Sequence, residues 1–139
     1  MGFFYVQPEV AGATISDPQQ SAMCVFDSWL GDDLVRAQPL LLVTTSLMRA
    51  LVGLDEPSGF SMARVRIKSS PFFRRYNAGR RLPWFWSLQP SGTPGRDDVG
   101  VTADGSLVVA QRVLEVLMEY QVARAVFAQH SKRTRARRT

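Results

Sequence analysis

Two acidic doublets, Asp32-Asp33 and Asp97-Asp98, are the residues whose spacing comes closest to a catalytic or metal-binding pair. Neighbouring carboxylates can bind a divalent cation or share a proton. Asp32-Asp33 stands where a loop or helix begins, and free amide hydrogens at such a start favour acidic side chains. Asp97-Asp98 stands beside Arg96 and can pair with it or with another arginine. We therefore favour a structural role for both doublets, with a metal-dependent enzyme as the weaker alternative.

The single histidine and the single cysteine give little support to nucleophilic catalysis. His130 begins the basic C-terminal tail, and Cys24 lies in the apolar run Met23–Phe26. A serine or cysteine nucleophile needs a well-positioned base, and one cysteine with one histidine cannot form a zinc site of the usual kind. Gly92–Arg96 lacks the Lys-Ser/Thr pair of a phosphate-binding loop. We expect no catalytic centre, metal or cofactor, and we expect Cys24 to pack in the core.

The segment Phe72–Arg81 interleaves arginines with aromatic residues, as single-stranded nucleic-acid surfaces do. Arginine and aromatic residues are also enriched at protein-binding hot spots, and flanking acidic segments could instead neutralise the bases within the fold. If the following run is a strand, Trp84 and Trp86 share one face and Phe85 lies on the other. The candidate partner-binding residues are Arg74, Arg75, Tyr76, Arg80, Arg81, Trp84, Asp97 and Asp98.

The formal charge of +5 is unevenly distributed along the chain. Residues 1–56 hold seven acids and two bases, and residues 57–96 hold eight bases and no acid. Residues 97–131 hold five acids and two bases, and residues 132–139 hold five bases. The last stretch alone supplies the surplus, so the net charge describes a tail rather than a binding face.

Length and composition indicate one globular domain. A chain of 139 residues with 45% hydrophobic residues suits a single packed core. We expect a domain at residues 1–130 and a basic, disordered tail at residues 131–139. Because there is one cysteine, no basic leader and no apolar run of spanning length, we expect a cytoplasmic protein without a membrane segment.

The first residues predict strands and a loop. Phe3–Gln7 is an aromatic and β-branched run stopped by Pro8, which predicts a strand. Ala11–Gln20 carries turn residues and no periodicity, which predicts a loop, and Met23–Phe26 predicts a second strand.

A strand that turns directly into a helix occurs twice. Leu40–Val43 leads into a helical period through Leu54, with Thr44 or Thr45 as the expected cap and Gly53 after the last turn. The same plan returns at Leu107–Val109, where Ala110 offers no capping oxygen. The remaining expected elements are a strand at Met62–Lys68, a strand at Trp84–Leu88, a hairpin turning at Asp104-Gly105, a helix over Val113–Tyr120 and a closing strand at Ala125–Phe127.

This order of elements predicts an α+β fold, with a mixed β-sheet covered by two helices and two similar strand-helix-strand units. The predicted core consists of Phe4, Val6, Val25, Leu42, Leu47, Leu51, Val65, Ile67, Leu107, Val109, Val113, Leu117 and Val126.

Several stretches resemble a group of small bacterial proteins that look like immunity proteins of polymorphic-toxin systems. They are Tyr5–Gly12, Phe26–Leu34, Arg81–Trp86, and Asp97–Gly100 running into Leu107–Val109. The resembling group tends to have Ser-Glu after the last of these strands, where this chain has Ala-Gln.

The resemblance implies a non-catalytic protein that binds and neutralises a partner such as a cognate toxin, and therefore needs a rigid complementary surface rather than catalytic groups. The alternative is a small nucleic-acid-binding module that uses residues 72–86 and the basic tail. The oligomeric state stays open at this point.

Overall fold

The computed structural model describes residues 2–17, 20–77 and 79–130, and within them strands outnumber helices. Every bound below follows the hydrogen-bonding pattern of the backbone. The strands are β1 (Phe3–Gln7), β2 (Glu9–Asp17), β3 (Gln20–Phe26), β4 (Leu34–Gln38), β5 (Leu40–Thr44), β6 (Phe60–Arg64), β7 (Arg66–Ser69), β8 (Phe85–Pro90), β9 (Val99–Val101), β10 (Leu107–Ala110) and β11 (Val126–His130). The helices are α1 (Thr45–Val52), α2 (Pro71–Tyr76) and α3 (Gln111–Met118).

The described strands form two sheets. An antiparallel four-stranded sheet has the order β11-β1-β10-β9, and a mixed seven-stranded sheet has the order β6-β8-β5-β4-β2-β3-β7. In the larger sheet β2 is parallel to β4 and β3 is parallel to β7. The predicted α+β domain with a mixed sheet is confirmed, and the structure adds the smaller sheet and the short helix α2.

The seven-stranded sheet is strongly curled. Its two edge strands, β6 and β7, are consecutive in the chain and are separated by Val65 alone. Seven flat strands would hold these edges about 29 Å apart, whereas a two-residue step reaches at most about 7 Å. The sheet must therefore bend until its two edges approach each other, which gives it a concave and a convex face.

The convex face, the helices α1 and α3, and the smaller sheet enclose one hydrophobic core, here called the inter-sheet core. Leu47 and Leu51 on α1 and Val113 and Leu117 on α3 are buried in it, as their helical spacing predicts. Its remaining buried members come from the strands and the final loop: Val6, Leu34, Leu41, Val43, Leu88, Val99, Leu107, Val109 and Val122.

The concave face encloses a second core, here called the inner core. Its eight buried members include three phenylalanines and three small residues, which leave room for these rings where side chains converge inside a curled sheet. Cys24 is one of these small residues, as expected, and its thiol lies 3.6 Å from the Thr14 hydroxyl oxygen. The buried members are Ala11, Cys24, Phe26, Val35, Ala37, Leu42, Phe73 and Phe85.

Both predicted strand-to-helix junctions are present, but the predicted helix cap is wrong. Thr44 occupies the cap position of α1 without accepting an amide hydrogen, and its hydroxyl instead donates to Asp33 Oδ1 at 2.7 Å. Ala110 stands at the same position of α3, so neither helix has a side-chain cap. Gly53 ends α1 as predicted, with its N–H donating to the Arg49 carbonyl at 3.0 Å.

Several other predictions from the sequence are wrong, among them that for Val25, which was expected in the core but is only partly buried because it alternates with the buried Cys24 and Phe26. Ala11–Gln20 is not a loop, because β2 continues to Asp17; Gly12 is needed there since a Cβ would lie 1.9 Å from the Val25 carbonyl oxygen. The expected strand at Met62–Lys68 is two strands that part at Val65. Val126, expected in the core, is 61% exposed because β11 is an edge strand.

The basic tail at residues 131–139 lies outside the described residues. No helix among the described ranges is long and apolar enough to cross a membrane.

Candidate partner-binding surface

The helix α2 presents three of the eight candidate residues, Arg74, Arg75 and Tyr76. Ser70 begins it by accepting the Phe73 amide hydrogen at 3.0 Å, and Pro71 fits the first helical position because its fixed φ suits the first turn. Phe73 alone among the helical residues is buried, in the inner core. Anchoring through this one ring turns the other side chains outward.

Aromatic rings and arginines pack against one another on the outward side of α2. Phe72 and Tyr76, one turn apart, have ring centroids 4.6 Å from each other. The Arg75 guanidinium lies 5.7 Å from the Tyr76 ring centroid. Arg74 donates to the Ser69 carbonyl at 2.7 Å, so its side chain is held against the end of β7.

A column of aromatic rings supports Arg80. Its guanidinium lies 5.7 Å from the Trp29 ring centroid, and Trp29 meets Phe85 edge to face at 6.2 Å. Phe85 in turn lies 5.0 Å from Phe26 in the inner core. Trp29 Nε1 also donates to the Asp32 carbonyl at 2.8 Å, which fixes the indole. The exposed cation therefore rests on rings that are themselves locked into the core.

Trp84 borders a groove of about 240 Å³ lined by Thr45, Arg64 and residues 84–86. The Trp84 side chain is 81% exposed, whereas Trp86 packs on the inter-sheet core and donates from Nε1 to Thr45 Oγ1 at 3.1 Å. Arg64 lies over Trp86 with 5.6 Å between the guanidinium carbon and the ring centroid. Trp84 lies before β8 begins at Phe85. The prediction that Trp84 and Trp86 share one face of a strand is therefore wrong.

These arginines and exposed rings belong to the stretch 72–84 and to the neighbouring strand end at Arg64, and they are not neutralised within the fold. None of these arginines makes an ion pair with a carboxylate of the described residues; the ion pairs found there join Arg96 to Asp97 and Arg112 to Asp98. A cation–π contact orients a guanidinium without cancelling its charge. We name this set the arginine–aromatic surface: Arg64, Phe72, Arg74, Arg75, Tyr76, Arg80, Arg81 and Trp84.

Asp97 and Asp98, also selected from the sequence, are engaged within the fold. Asp97 accepts the Thr93 amide hydrogen at 2.7 Å and lies 3.8 Å from Arg96. Asp98 is buried and is held by Arg112 and by the Ser58 amide, and these hydrogen bonds, those of Arg112 first, lower the pKa of Asp98. We therefore leave both carboxylates out of the proposed binding surface.

The other acidic doublet joins distant parts of the chain. Asp32 Oδ2 accepts the Arg124 amide hydrogen at 2.9 Å, and Asp33 Oδ2 accepts that of Gln121 at 2.8 Å. Asp33 also accepts the Thr44 hydroxyl described above. Both carboxylates thus tie the start of β4 to the loop between α3 and β11; the role is structural, as expected, but the amides belong to a distant loop rather than to a local helix start.

The remaining candidate catalytic or metal-binding residues show no arrangement for catalysis or metal binding within the described ranges. His130 lies in β11 with its ring 5.0 Å from that of Tyr5. Across the described ranges, no three histidine, cysteine or acidic residues lie close enough together to hold a metal ion.

Sequence reasoning missed two residues of the surface and its support, Arg64 and Trp29. Arg64 was assigned to the polar face of a single strand, although it belongs to the acid-free stretch 57–96 that supplies the other arginines. That shared charge bias was the available signal. Trp29 lies far from the segment in sequence, and only the curl of the sheet brings it under Arg80.

Comparison with known proteins gives no match for this chain: no family model, no curated protein and no solved structure is similar to it at a significant level. Its function is therefore inferred from the chemistry of the surface and from the resembling stretches of sequence.

Proposed function

We propose that this protein is a non-catalytic, immunity-type binding protein that neutralises a partner protein by covering it with the arginine–aromatic surface. The observation that carries the proposal is the combination of unneutralised arginines with the exposed rings of Phe72, Tyr76 and Trp84, which are 57%, 64% and 81% exposed. Large exposed rings beside arginines are the composition of protein-binding hot spots. An acidic surface on the partner would provide negative charges opposite these arginines.

The rigidity of the surface supports binding rather than catalysis. Phe73 fixes α2, the Trp29–Phe85 contact fixes Arg80, and Trp86 fixes Arg64. Because these side chains are ordered before a partner arrives, less conformational entropy is lost on association. A neutralising protein benefits from this property, since it must bind tightly and needs no reacting group.

The packing of the aromatic rings on α2 favours a protein partner over nucleic acid. Phe72 and Tyr76 pack against each other, so they do not offer two separate faces for successive bases. Arginine and aromatic residues, which make up the arginine–aromatic surface, are the types enriched at protein interfaces. The largely exposed Trp84 indole is the observation that keeps a single-stranded nucleic acid as the second candidate.

The experiment is affinity capture from the native cells, followed by a test of neutralisation. The tagged full-length chain, Trp84→Ala and Met118→Ala are compared, because Met118 is an exposed apolar residue outside the surface. We expect one stoichiometric protein with the unaltered chain and with Met118→Ala, and little of it with Trp84→Ala. Expression of that partner alone should arrest growth of a host, and co-expression of this protein should restore it.

Two outcomes separate the candidate functions. Material that disappears after nuclease treatment, with affinity falling steeply as salt rises, would support nucleic-acid binding. Equal recovery of the protein partner with Trp84→Ala would reject the proposed surface. A cytoplasmic location belongs to the same proposal and is tested by fractionation of the native cells.

A further inference from the structure

A second concave site lies between the two sheets, away from the arginine–aromatic surface. Arg36 stands opposite Leu41 on β5, and Leu41 stands opposite Leu88 on β8, so these side chains form one row across three strands. Leu107 and Val101, opposite each other in the smaller sheet, face this row across a cavity of about 390 Å³. This volume is in the range of small-molecule binding sites.

The cavity combines an apolar lining with one cation. Leu41, Leu88 and Leu107 are almost fully buried, and Arg36 is the one ionisable side chain among the described residues that line it. The apolar surface that a ligand can still cover there belongs to the partly exposed Leu40, Pro90 and Val101. Ser87 and Gln89 also line the cavity, and Arg36 supplies the one charge that can select a head group.

Arg36 has unused hydrogen-bonding capacity. Its guanidinium donates to the Pro39 carbonyl at 3.1 Å, and no carboxylate of the described chain pairs with it. A guanidinium carries five N–H donors arranged to bind a carboxylate in a two-point contact. Partial burial already lowers the pKa of Arg36, because solvation is lost without a compensating anion.

From this geometry we propose that the cavity binds a carboxylate attached to a short apolar group, with Arg36 holding the carboxylate and with Leu40, Pro90 and Val101, above the buried leucines, holding the apolar group. The carboxylate can belong to a free small molecule or to the C-terminus of a peptide, since the chemistry presented to Arg36 is the same. This site is independent of the proposed function, because no residue of the arginine–aromatic surface lines the cavity.

The test uses the full-length protein and matched probes, followed by isothermal titration and by NMR of the leucine methyl groups. Octanoate is compared with 1-octanol, and N-acetyl-leucyl-leucine with its C-terminal amide. Each acid should bind at least about 10-fold more tightly than its neutral counterpart, as expected for a two-point charge-assisted contact. The largest methyl shifts should be those of Leu40, with smaller shifts at the underlying Leu41, Leu88 and Leu107.

Two variants complete the test. Arg36→Met keeps the apolar stem and should abolish the preference for the acid, whereas Arg81→Gln, on the other surface, should leave it unchanged. Binding of octanoate alone assigns the site to free acids, and binding of the acidic dipeptide assigns it to chain termini. The proposal is overturned if neither acid binds at millimolar concentration, if acid and neutral probe bind equally, or if Arg36→Met retains the preference.

Discussion

Arg112 on α3 holds the carboxylate of Asp98 at two points, from Nε to Oδ1 at 2.8 Å and from Nη2 to Oδ2 at 2.7 Å. The same carboxylate accepts the Ser58 amide hydrogen at 2.9 Å. Asp98 thereby connects α3 with the loop that precedes β6. This relationship explains why an acidic doublet that could have bound an ion or a partner serves the fold.

We predict that Asp98→Asn lowers the free energy of unfolding by about 1 to 2 kcal/mol at pH 7, a modest loss because solvent reaches Arg112. The pKa of Asp98 lies below its usual 3.8, so its contribution to stability is present above that value and is lost as pH falls through the folded-state pKa. The difference from the unaltered protein should therefore shrink below about pH 4. Urea unfolding between pH 3 and 7 measures it, with Glu119→Gln as an exposed control; a difference independent of pH would contradict the assignment.

Glu9 should show the opposite pH dependence. Burial first, and then the negative charge of Asp32, raise the pKa of Glu9 above 4.5, although Arg124 lowers it in part. The folded protein then binds this proton more tightly than the unfolded chain, so stability falls as pH rises from 4.5 through the raised pKa. Glu9 Oε2 is also buried without a hydrogen-bond partner in the described residues.

We predict that Glu9→Gln raises stability at pH 7 by less than about 1 kcal/mol, since solvent screens a partly exposed group, and changes little at pH 4. Thermal unfolding at both pH values measures the effect, with Glu115→Gln as the control. A variant less stable than the unaltered protein at pH 7 would show that the Glu9 charge is favourable.

The contact between Asp33 and Thr44 should be energetically coupled. Asp33→Ala removes the acceptor of both the Thr44 hydroxyl and the Gln121 amide, and we expect a loss of about 1 to 3 kcal/mol. Thr44→Val should cost less, because Asp33 keeps its other partner. A double-mutant cycle in urea measures the coupling, which should be at least about 0.5 kcal/mol; additive losses would contradict a direct contact.

Replacement of Trp84 and of Phe73 by alanine should affect the stability of the fold very differently. Trp84→Ala should change the free energy of unfolding by no more than about 0.5 kcal/mol, because the side chain is exposed. Phe73→Ala should cost about 3 to 5 kcal/mol, because its ring anchors α2 in the inner core. Urea titration measures both. A large loss in Trp84→Ala would mean that this indole serves the fold rather than a partner.

Local patterns predicted the elements that bury one clear face. Phe3–Gln7 is the strand expected from its β-branched and aromatic residues, and Leu47 with Leu51 occupy the helical core positions expected from their spacing. The candidate arginines of α2 are exposed, because burying adjacent cations without partners is costly. These features depend on the period of a short segment, which a single sequence displays.

The errors arose where tertiary structure overrode a local pattern. Gly12 resembled a turn residue, but its lack of a side chain permits the approach of β3. The run around Val65 resembled one strand, but the curl of the sheet divides it between two edges. The groove beside Trp84 and the cavity beside Arg36 bring together residues from distant strands, which no spacing along the chain encodes.

The central claim is that the arginine–aromatic surface binds the partner, and the affinity of a charge-reversed variant for the captured partner tests it most directly. Arg80→Glu is compared by titration with Arg49→Glu, because Arg49 is exposed on α1 outside the surface. We predict that Arg80→Glu weakens binding at least about 30-fold, the loss typical of a hot-spot residue, and that Arg49→Glu weakens it less than about 3-fold. Equal affinities of the two variants would contradict the claim.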